Sequence, residues 1–329
     1  MRLAYSSNAY QRFSVEETIA RIARLGYQGM ELLADVPHAW PAGLLDERKT
    51  AIRACLERHD LAISNVNAFM MNAVADPRQP YWHPSWIEPD RNYRAIRREH
   101  TIRALRLAKE LGAPSIQTEP GGPRAAGQTW QTAAAVFYEE IMPCVELAEH
   151  LEVALLLEPE PGLMIETFEG YLEFVAQIDS PWIGLNFDVG HAFCVGQDPE
   201  QWIARMASHT KHYHLDDIAS TRRHAHLIPG RGAIDFSRVL REILSTGYEG
   251  WLTVELYPYL DDPDEAGRQA KTYLEQIATV HSCRSAESRN KGRVRRVGGG
   301  GKNSWGVNRL RLTPHASRPT LHESLTPDP

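Results

Sequence analysis

Short apolar runs alternate with longer amphipathic segments from residue 1 to about residue 280. A continuous apolar run such as VALLLEPE (153–160) is typical of a strand covered on both faces. Apolar residues at helical spacing, such as Ile19, Ile22 and Leu25, are typical of an amphipathic helix. The pattern predicts strands at 1–6, 29–34, 61–69, 114–119, 153–160, 183–188, 212–217 and 251–257. It predicts helices at about 15–25, 46–59, 92–111, 129–150, 166–178, 198–206, 235–245 and 264–280.

Strands that alternate with helices in this way predict parallel βαβ units and an α/β fold. A length of about 280 residues suits a closed (β/α)8 TIM barrel. A doubly wound open sheet would need a glycine-rich phosphate-binding turn after its first strand, and the corresponding segment SSNAYQRF contains no glycine. We therefore predict a single TIM barrel over residues 1–280.

Charge is unevenly divided between this predicted barrel and the rest of the chain. Residues 281–329 contain 10 basic and 3 acidic residues and lack apolar periodicity, which predicts a disordered basic C-terminal tail. Residues 1–280 contain 26 basic and 39 acidic residues, a formal net charge of −13. Because an acidic body repels phosphate backbones and anionic lipids, neither nucleic acid nor membrane is an expected partner.

The remaining composition favours a cytoplasmic protein. The four cysteines are widely separated and form no CxxC pair, the first residues do not resemble a signal peptide, and no apolar run reaches the length of a membrane span. The segment at 71–91 is rich in Trp and Pro and is long for a βα connection. We interpret it as a lid or as a contact surface for a homo-oligomer.

Four late strands each carry one polar residue at or near the end of an apolar run: Glu158, Asp188, His214 and Glu255. In a TIM barrel the active site lies at the carboxyl ends of the strands, so these side chains are expected to converge. Three buried carboxylates need a counter-ion, and an oxygen-rich set with one imidazole suits Mn²⁺ or Mg²⁺. A structural salt bridge at Glu158 and a core histidine at His214 are the competing interpretations.

Five motifs occur in order at these strand ends: LLLEPEPG (155–162), NFDVGHAF (186–193), HYHLDD (212–217), HAHLIPGRGAIDF (224–236) and GYEGWLTVELY (247–257). Through them the chain resembles the xylose isomerase-like TIM barrels, a superfamily of sugar isomerases and epimerases that also includes the apurinic endonuclease branch. The resemblance covers roughly residues 1–280.

The resemblance implies one divalent metal ion, with Mn²⁺ expected first and Mg²⁺, Co²⁺ or Zn²⁺ as alternatives. Carried over by position, the implied ligands are Glu158, Asp188, His214 and Glu255. The resemblance also implies that His191 approaches the substrate oxygens.

Four further residues are candidates for substrate binding. His226 occupies the position of a substrate-binding basic residue in similar sugar epimerases, and of a metal ligand in the endonuclease branch. His224 is a candidate for a second metal or for substrate contact. Glu31, at the end of the second strand, would either bind substrate or form a structural pair. Arg231, in PGRG (229–232), would contact an anionic group or be solvated.

Two glutamates beside one cation indicate proton transfer at the carbon next to a carbonyl. The metal would hold a carbonyl and the adjacent hydroxyl, and either Glu158 or Glu255 would remove the C–H proton to give a metal-bound enediolate. Return of the proton from the other glutamate gives epimerisation, and return to the neighbouring carbon gives isomerisation. His191 would polarise the carbonyl.

We therefore expect a metal-dependent sugar or keto-cyclitol isomerase/epimerase that acts on a small molecule. A dehydratase or lyase acting on a keto-sugar or keto-inositol could use the same site, by expelling a β-hydroxyl. An apurinic endonuclease-like phosphodiesterase would need extra histidines at early strand ends, where this chain has Asn67 and Glu119. A non-catalytic scaffold would have lost metal ligands, and all four are present.

Overall fold

Parallel strands close into a barrel in the computed structural model, which describes residues 1–69, 71–74 and 82–295, with side chains up to residue 279. Each strand pairs with the next one along the chain, and β1 pairs with β8 to complete the ring. The strands are β1 Arg2–Ser6, β2 Gly29–Leu33, β3 Ala62–Asn67, β4 Ser115–Thr118, β5 Ala154–Leu157, β6 Ile183–Asp188, β7 Thr210–Leu215 and β8 Trp251–Val254.

Helices separate the strands and form the outer layer, which confirms the predicted TIM barrel. Within the described residues they are α1 Val15–Arg24, α2 Asp46–Arg58, α3 Arg91–Leu111, α4 Trp130–Leu151, α5 Phe168–Val175, α6 Val189–Cys194, α7 Pro199–Met206, α8 Phe236–Ser245 and α9 Pro263–Arg295. Side-chain capping hydrogen bonds fix the first residue of several of these helices. At α1, Ser14 accepts a hydrogen bond from the backbone of Glu17, and the Glu17 side chain bonds back to Ser14.

The last helix is longer than predicted. Residues 1–283 form one compact unit, and α9 continues to Arg295, past the predicted end at residue 280. The remainder of the predicted tail, residues 296–329, lies outside the described residues. No helix in the described part of the chain is both long and apolar enough to cross a bilayer.

The barrel strands present apolar residues to the helices and polar residues to the interior. On the outside, the Phe187 ring lies 4.5 Å from that of Phe168 and 5.3 Å from that of Tyr213. The interior contains a polar layer, which consists of five buried residues: Asn65, Gln117, Asn186, His212 and Thr253. Hydrogen bonds satisfy this layer. For example, the two His212 ring nitrogens lie 2.8 Å from Asn186 Oδ1 and 2.7 Å from Thr253 Oγ1.

The described part of the 71–91 segment packs on the barrel. Trp86 is fully buried, its indole stacks on Phe137 at 5.6 Å, and its Nε1 donates to Thr118 Oγ1 at 3.2 Å. Residues 75–81 lie outside the described residues. Because Trp86 is buried within its own chain, it cannot supply the predicted subunit contact, and homo-oligomerisation through the rest of the segment stays a prediction.

Candidate active site and metal centre

Four side chains from neighbouring strands meet at the carboxyl-terminal rim of the barrel. Glu158 directly follows β5, Asp188 ends β6, His214 lies in β7, and Glu255 directly follows β8. The register places Asp188 opposite His214 on adjacent strands. Strand order and register alone therefore place the four groups on one side of the mouth.

The distances within this group are short enough for a shared ligand. His214 Nδ1 lies 2.8 Å from Glu158 Oε1, 3.4 Å from Glu255 Oε2 and 3.7 Å from Asp188 Oδ2. One ligand atom from each of the four residues lies within 4.8 Å of the others, and all four residues are buried. The structure brings together the whole ligand set that the sequence predicted, which we call the carboxylate centre.

The donor set fits a divalent cation. Asp188 Oδ2 is buried and has no hydrogen-bond partner among the described residues, and a buried carboxylate oxygen is costly without a partner. Three carboxylates and one imidazole offer the oxygen-rich, mixed coordination that Mn²⁺, Mg²⁺ or Zn²⁺ accepts. Cys194, the cysteine beside this region, does not belong to the group.

Crowded charge perturbs the protonation of the centre. Burial raises the pKa of Glu158 to about 8, and the neighbouring carboxylates of Glu255 and Asp188 add to the rise. Burial also raises the pKa of Asp188. Burial disfavours a charged His214, but the carboxylates of Glu255, Glu31 and Glu158 outweigh it and raise its pKa well above the usual range. A cation bound here would replace these protons.

Glu31 lies behind His214 and does not belong to the cavity wall. It is fully buried, and its Oε2 lies 2.8 Å from His214 Nε2 and accepts a hydrogen bond from Asn65 at 2.9 Å. Burial would raise the pKa of Glu31, but the positive charge and hydrogen bond of His214 lower it to about 2. The structure thus places Glu31 in the pairing role, one of the two that the sequence left open.

Amide side chains orient the two glutamates of the centre. Gln117 Nε2 donates to Glu158 Oε2 at 2.7 Å, and Asn8 Nδ2 donates to Glu255 Oε1 at 2.8 Å. Asn67 Nδ2 approaches the same Glu255 oxygen at 3.3 Å. Sequence reasoning missed Asn8 and Gln117. A polar Gln near the end of the short strand β4 was the available indication for Gln117, whereas Asn8 lies in a turn that no motif marked.

A cavity opens over the centre. Phe69 and Tyr257 contribute aromatic faces, and no Arg or Lys belongs to the wall among the described residues. The wall consists of Asn67, Phe69, Gln117, Glu158, Glu160, His191, His224, His226, Glu255 and Tyr257.

Arg231, which the sequence left open between contact with an anionic group and solvation, lies outside this wall. It is exposed and donates to the side chain of Gln269. The loop is directed by Asp217, whose Oδ2 accepts hydrogen bonds from the backbone of Gly230 at 2.9 Å and Gly232 at 2.7 Å.

His191 is positioned by a short helix that the sequence analysis missed. Helix α6 starts directly after Asp188, whose Oδ1 accepts a hydrogen bond from the His191 backbone at 2.7 Å. His191 Nδ1 lies 3.0 Å from the Pro159 carbonyl and 3.3 Å from Glu160 Oε2. Burial lowers the pKa of His191 well below its usual value, which favours a neutral ring.

His224 and His226 complete the same side of the cavity. His226 is buried, with Nδ1 3.1 Å from the Glu255 carbonyl, while His224 is partly exposed, with Nδ1 3.5 Å from Glu160 Oε1. Burial lowers the pKa of both rings. The structure therefore places three of the predicted substrate-contacting residues, His191, His224 and His226, in the cavity wall.

Residues 19–277 match the family model of the xylose isomerase-like TIM barrels. The chain belongs to this family. Fructoselysine 3-epimerase of Escherichia coli O157:H7 is 23% identical to this xylose isomerase-like barrel over 279 residues, which cover 82% of this chain and 96% of that enzyme.

Two further comparisons place other proteins beside this xylose isomerase-like barrel. An inosose dehydratase of Clostridium botulinum (strain Eklund 17B / Type B) is 26% identical over 153 residues, 41% of this chain and 51% of that enzyme. The solved structure of the IOLI protein with a zinc atom superposes with a TM-score of 0.69 at 18% identity, and covers 84% of this chain and 98% of that one. The relatives thus include an epimerase and a dehydratase.

Proposed function

We propose that this protein is a divalent-metal-dependent sugar or keto-cyclitol isomerase/epimerase that transfers a proton at the carbon next to a carbonyl. The observation that carries the proposal is the pair of cavity-lining carboxylates, Glu158 and Glu255, at 2.8 and 3.4 Å from one His214 nitrogen. Two carboxylates beside the same carbon atom can act as bases in turn, because one can remove a proton and the other can return one. The epimerase among the relatives supports this reaction class.

Glu158, Asp188, His214 and Glu255 would hold the cation, with Mn²⁺ our first choice and the zinc in the IOLI structure in favour of Zn²⁺. The cation would supply Lewis-acid polarisation of the substrate carbonyl. Gln117 and Asn8 each hold one oxygen of a glutamate, which leaves the other oxygen of that glutamate facing His214 Nδ1, where the cation would bind.

His191 is placed to contact the carbonyl oxygen. Its Nδ1–H donates to the Pro159 carbonyl, so its Nε2 is directed toward the cavity. Phe69 and Tyr257 provide apolar faces suited to the C–H side of a sugar ring. With no Arg or Lys in the described wall, an unphosphorylated substrate is favoured over a sugar phosphate.

Dehydration at the same site is the second candidate, and the inosose dehydratase relative favours it. Glu158 or Glu255 would again remove the proton next to the carbonyl, and the β-hydroxyl would then leave as water. Glu160 lies in the wall beside His191 and His224, at 3.3 and 3.5 Å, where it could help to protonate the leaving hydroxyl.

Hydrolysis of abasic DNA has less support. The early strand ends present Asn67 and Glu119 where that chemistry needs histidine ligands, and residues 1–280 carry a net charge of −13. An acidic surface opposes binding to a phosphate backbone.

The test begins with metal analysis of the purified protein, followed by incubation with unphosphorylated ketoses and keto-inositols in D₂O. NMR should detect deuterium at the carbon next to the carbonyl, together with an epimer or isomer. Glu158→Gln and Glu255→Gln should each abolish the exchange, whereas Glu146→Gln, an exposed change on α4, should not. Loss of water with a new ultraviolet chromophore would assign dehydration instead, and a metal-loaded protein without any exchange would contradict both.

A further inference from the structure

The polar layer of the barrel interior lies directly beneath the carboxylate centre. Asn186 pairs with His212 across β6 and β7, and two residues later Asp188 pairs with His214 across the same strands. Side chains two residues apart on a strand lie on the same face of the sheet. Asn186 and His212 are buried and lie outside the described cavity wall. They can therefore act on the ligands above them, but not on a substrate directly.

Carboxylates on two sides fix the orientation of the Gln117 amide. Its Nε2 donates to Glu158 Oε2 at 2.7 Å, and its Oε1 accepts a hydrogen bond from Asn65 Nδ2. The same Asn65 nitrogen donates to Glu31 Oε2 at 2.9 Å, and the Ser115 hydroxyl donates to Asn65 Oδ1 at 2.6 Å. Reversing either amide would bring an amide oxygen against a carboxylate oxygen, and neither of these can donate.

The Gln117 oxygen in turn orients Asn186. The Asn186 atom that lies 3.4 Å from Gln117 Oε1 must be Nδ2, because two amide oxygens would repel each other. Asn186 Oδ1 then faces His212 Nδ1, 2.8 Å away. An amide oxygen only accepts hydrogen bonds, so His212 must carry its hydrogen on Nδ1. Its Nε2 is left with a lone pair, which accepts the hydroxyl of Thr253 at 2.7 Å.

The orientation of Asn186 also matters for the ligand His214. Asn186 Nδ2 lies 3.2 Å from His214 Nδ1, the ring nitrogen that faces Glu158. A reversed amide would place its oxygen there, and that oxygen would accept a hydrogen from Nδ1. A histidine binds a metal through a nitrogen without a hydrogen, so a reversed Asn186 would favour the form of His214 that cannot bind.

We propose that His212 is a positioning residue for the carboxylate centre. Its Nδ1–H holds the Asn186 amide in the orientation that leaves the Nδ1 lone pair of His214 to the cation. The inference rests on the cation of the proposed function, but it does not depend on the substrate. The His212 ring also packs edge-on against the His214 ring, with centroids 5.2 Å apart, so the test must separate hydrogen bonding from packing.

Two variants of His212 make this separation. The side-chain nitrogen of Asn, like Nδ1 of His, is two bonds from Cβ, so His212→Asn keeps a donor toward Asn186 but is smaller. His212→Gln fills more space but places its amide one bond farther out, beside Thr253. Mn²⁺ titration calorimetry of the metal-stripped proteins should give a near wild-type affinity for His212→Asn and an affinity about tenfold lower for His212→Gln.

A packing role would give the opposite order, because His212→Asn leaves the larger void. That order would overturn the inference. His150→Gln, an exposed change on α4, should keep the wild-type affinity. Circular dichroism checks that each variant folds.

NMR of the wild-type protein reports the hydrogen position without any metal. Long-range ¹H–¹⁵N spectra of the metal-free, ¹⁵N-histidine-labelled protein distinguish Nδ1–H from Nε2–H rings, and the signal that is missing in His212→Asn belongs to His212. We expect the Nδ1–H form, although a neutral histidine in water favours Nε2–H. An Nε2–H ring would overturn the inference, because it could not donate to Asn186.

Asn186→Ala tests whether the effect of His212 passes through the amide. In that background His212→Gln should lower the Mn²⁺ affinity no further, because the group that His212 orients is gone. Additive losses would show that His212 acts by another route and would contradict the inference. If the wild-type protein binds no Mn²⁺, the proposed function fails, and the tautomer of His212 then decides by itself whether this ring fixes Asn186.

Discussion

Glu31 Oε2 lies 2.8 Å from His214 Nε2, and this contact decides which nitrogen of His214 faces the carboxylate centre. The ionised carboxylate of Glu31 accepts the Nε2 hydrogen, so Nδ1 is directed at Glu158, 2.8 Å away. A carboxylate behind a ligating histidine fixes the ring and raises its basicity.

The substitution Glu31→Gln tests this relationship. The amide keeps the size of the side chain but removes the negative charge, so the affinity for Mn²⁺ should fall by about 10- to 100-fold. Calorimetric titration of the metal-free protein measures it. Glu146→Gln changes the same group on the exposed face of α4 and should leave the affinity unchanged. Equal affinities in both variants would show that Glu31 does not support the ligand.

Metal binding should release protons. Burial raises the pKa of Glu158 to about 8, so at neutral pH this ligand is largely protonated in the metal-free protein and must ionise when the metal binds. The apparent affinity should therefore rise with pH up to about pH 8, by roughly tenfold per pH unit for each proton released. Titrations at pH 7 in buffers of different ionisation enthalpy count the protons. A count of zero would contradict the raised pKa.

Arg97 should be important for stability. It is fully buried, its Nε lies 3.9 Å from Glu119 Oε1, and its guanidinium donates to the carbonyls of Pro84, Ala68 and Phe69. Arg97→Ala would leave a buried carboxylate without its counter-charge, so the free energy of unfolding should fall by about 3–5 kcal/mol.

Denaturant unfolding measures this loss, and Arg103→Ala on the same helix is the matched control. Arg103 is about half exposed and pairs with Glu99 four residues before it, so its removal should cost less than about 1 kcal/mol. Similar losses in the two variants would refute a special role for the buried pair. Because Phe69 belongs to the cavity wall, Arg97→Ala should also weaken substrate binding.

His100 should make the protein sensitive to acid. Burial lowers its folded-state pKa to about 3, whereas in the unfolded chain the value is near 6.5. Between these values the unfolded state binds more protons, so stability falls as the pH decreases from about 6.5 toward 3. The contribution of one such histidine approaches about 1.4 kcal/mol per pH unit.

Urea unfolding at several pH values between 7 and 4 measures this slope. His100→Gln removes the titrating group and should flatten the slope, although it also loses the stacking on Trp40 at 5.0 Å. His150→Gln, on the exposed face of α4, should keep the wild-type slope. An unchanged slope in His100→Gln would assign the acid sensitivity to other groups.

The sequence predicted the barrel and its carboxylate centre because both depend on local patterns. Apolar runs set the strands, and barrel geometry places polar residues such as Glu158 and Glu255 at the ends of those runs on one rim. The residues that hold them in place were harder to predict. Asn8 is far from Glu255 in sequence, and only the pairing of β1 with β8 brings them together.

Two other features of the site have local physical causes that the sequence does not show. Helix α6 has six residues, too few for a helical period, and its start depends on the Asp188 cap. Arg231 lies five residues after His226 in sequence. The hydrogen bonds from the backbone of Gly230 and Gly232 to Asp217 turn the chain there, so the Arg231 side chain faces solvent. Neither the cap geometry nor the direction of that turn can be deduced from residue types alone.

The two oxygens of Asp188 contact different neighbours. This one side chain therefore couples the position of helix α6 to the geometry of the carboxylate centre. Oδ1 accepts a hydrogen bond from the His191 backbone in the first turn of α6, while Oδ2 lies 3.7 Å from His214 Nδ1 and 3.9 Å from His191 Nε2. A rotation of this one side chain would loosen the helix that carries His191 and disturb the ligand set at the same moment. Substitutions at Phe69, His224 or Tyr257 would change the cavity wall and leave both contacts of Asp188 in place.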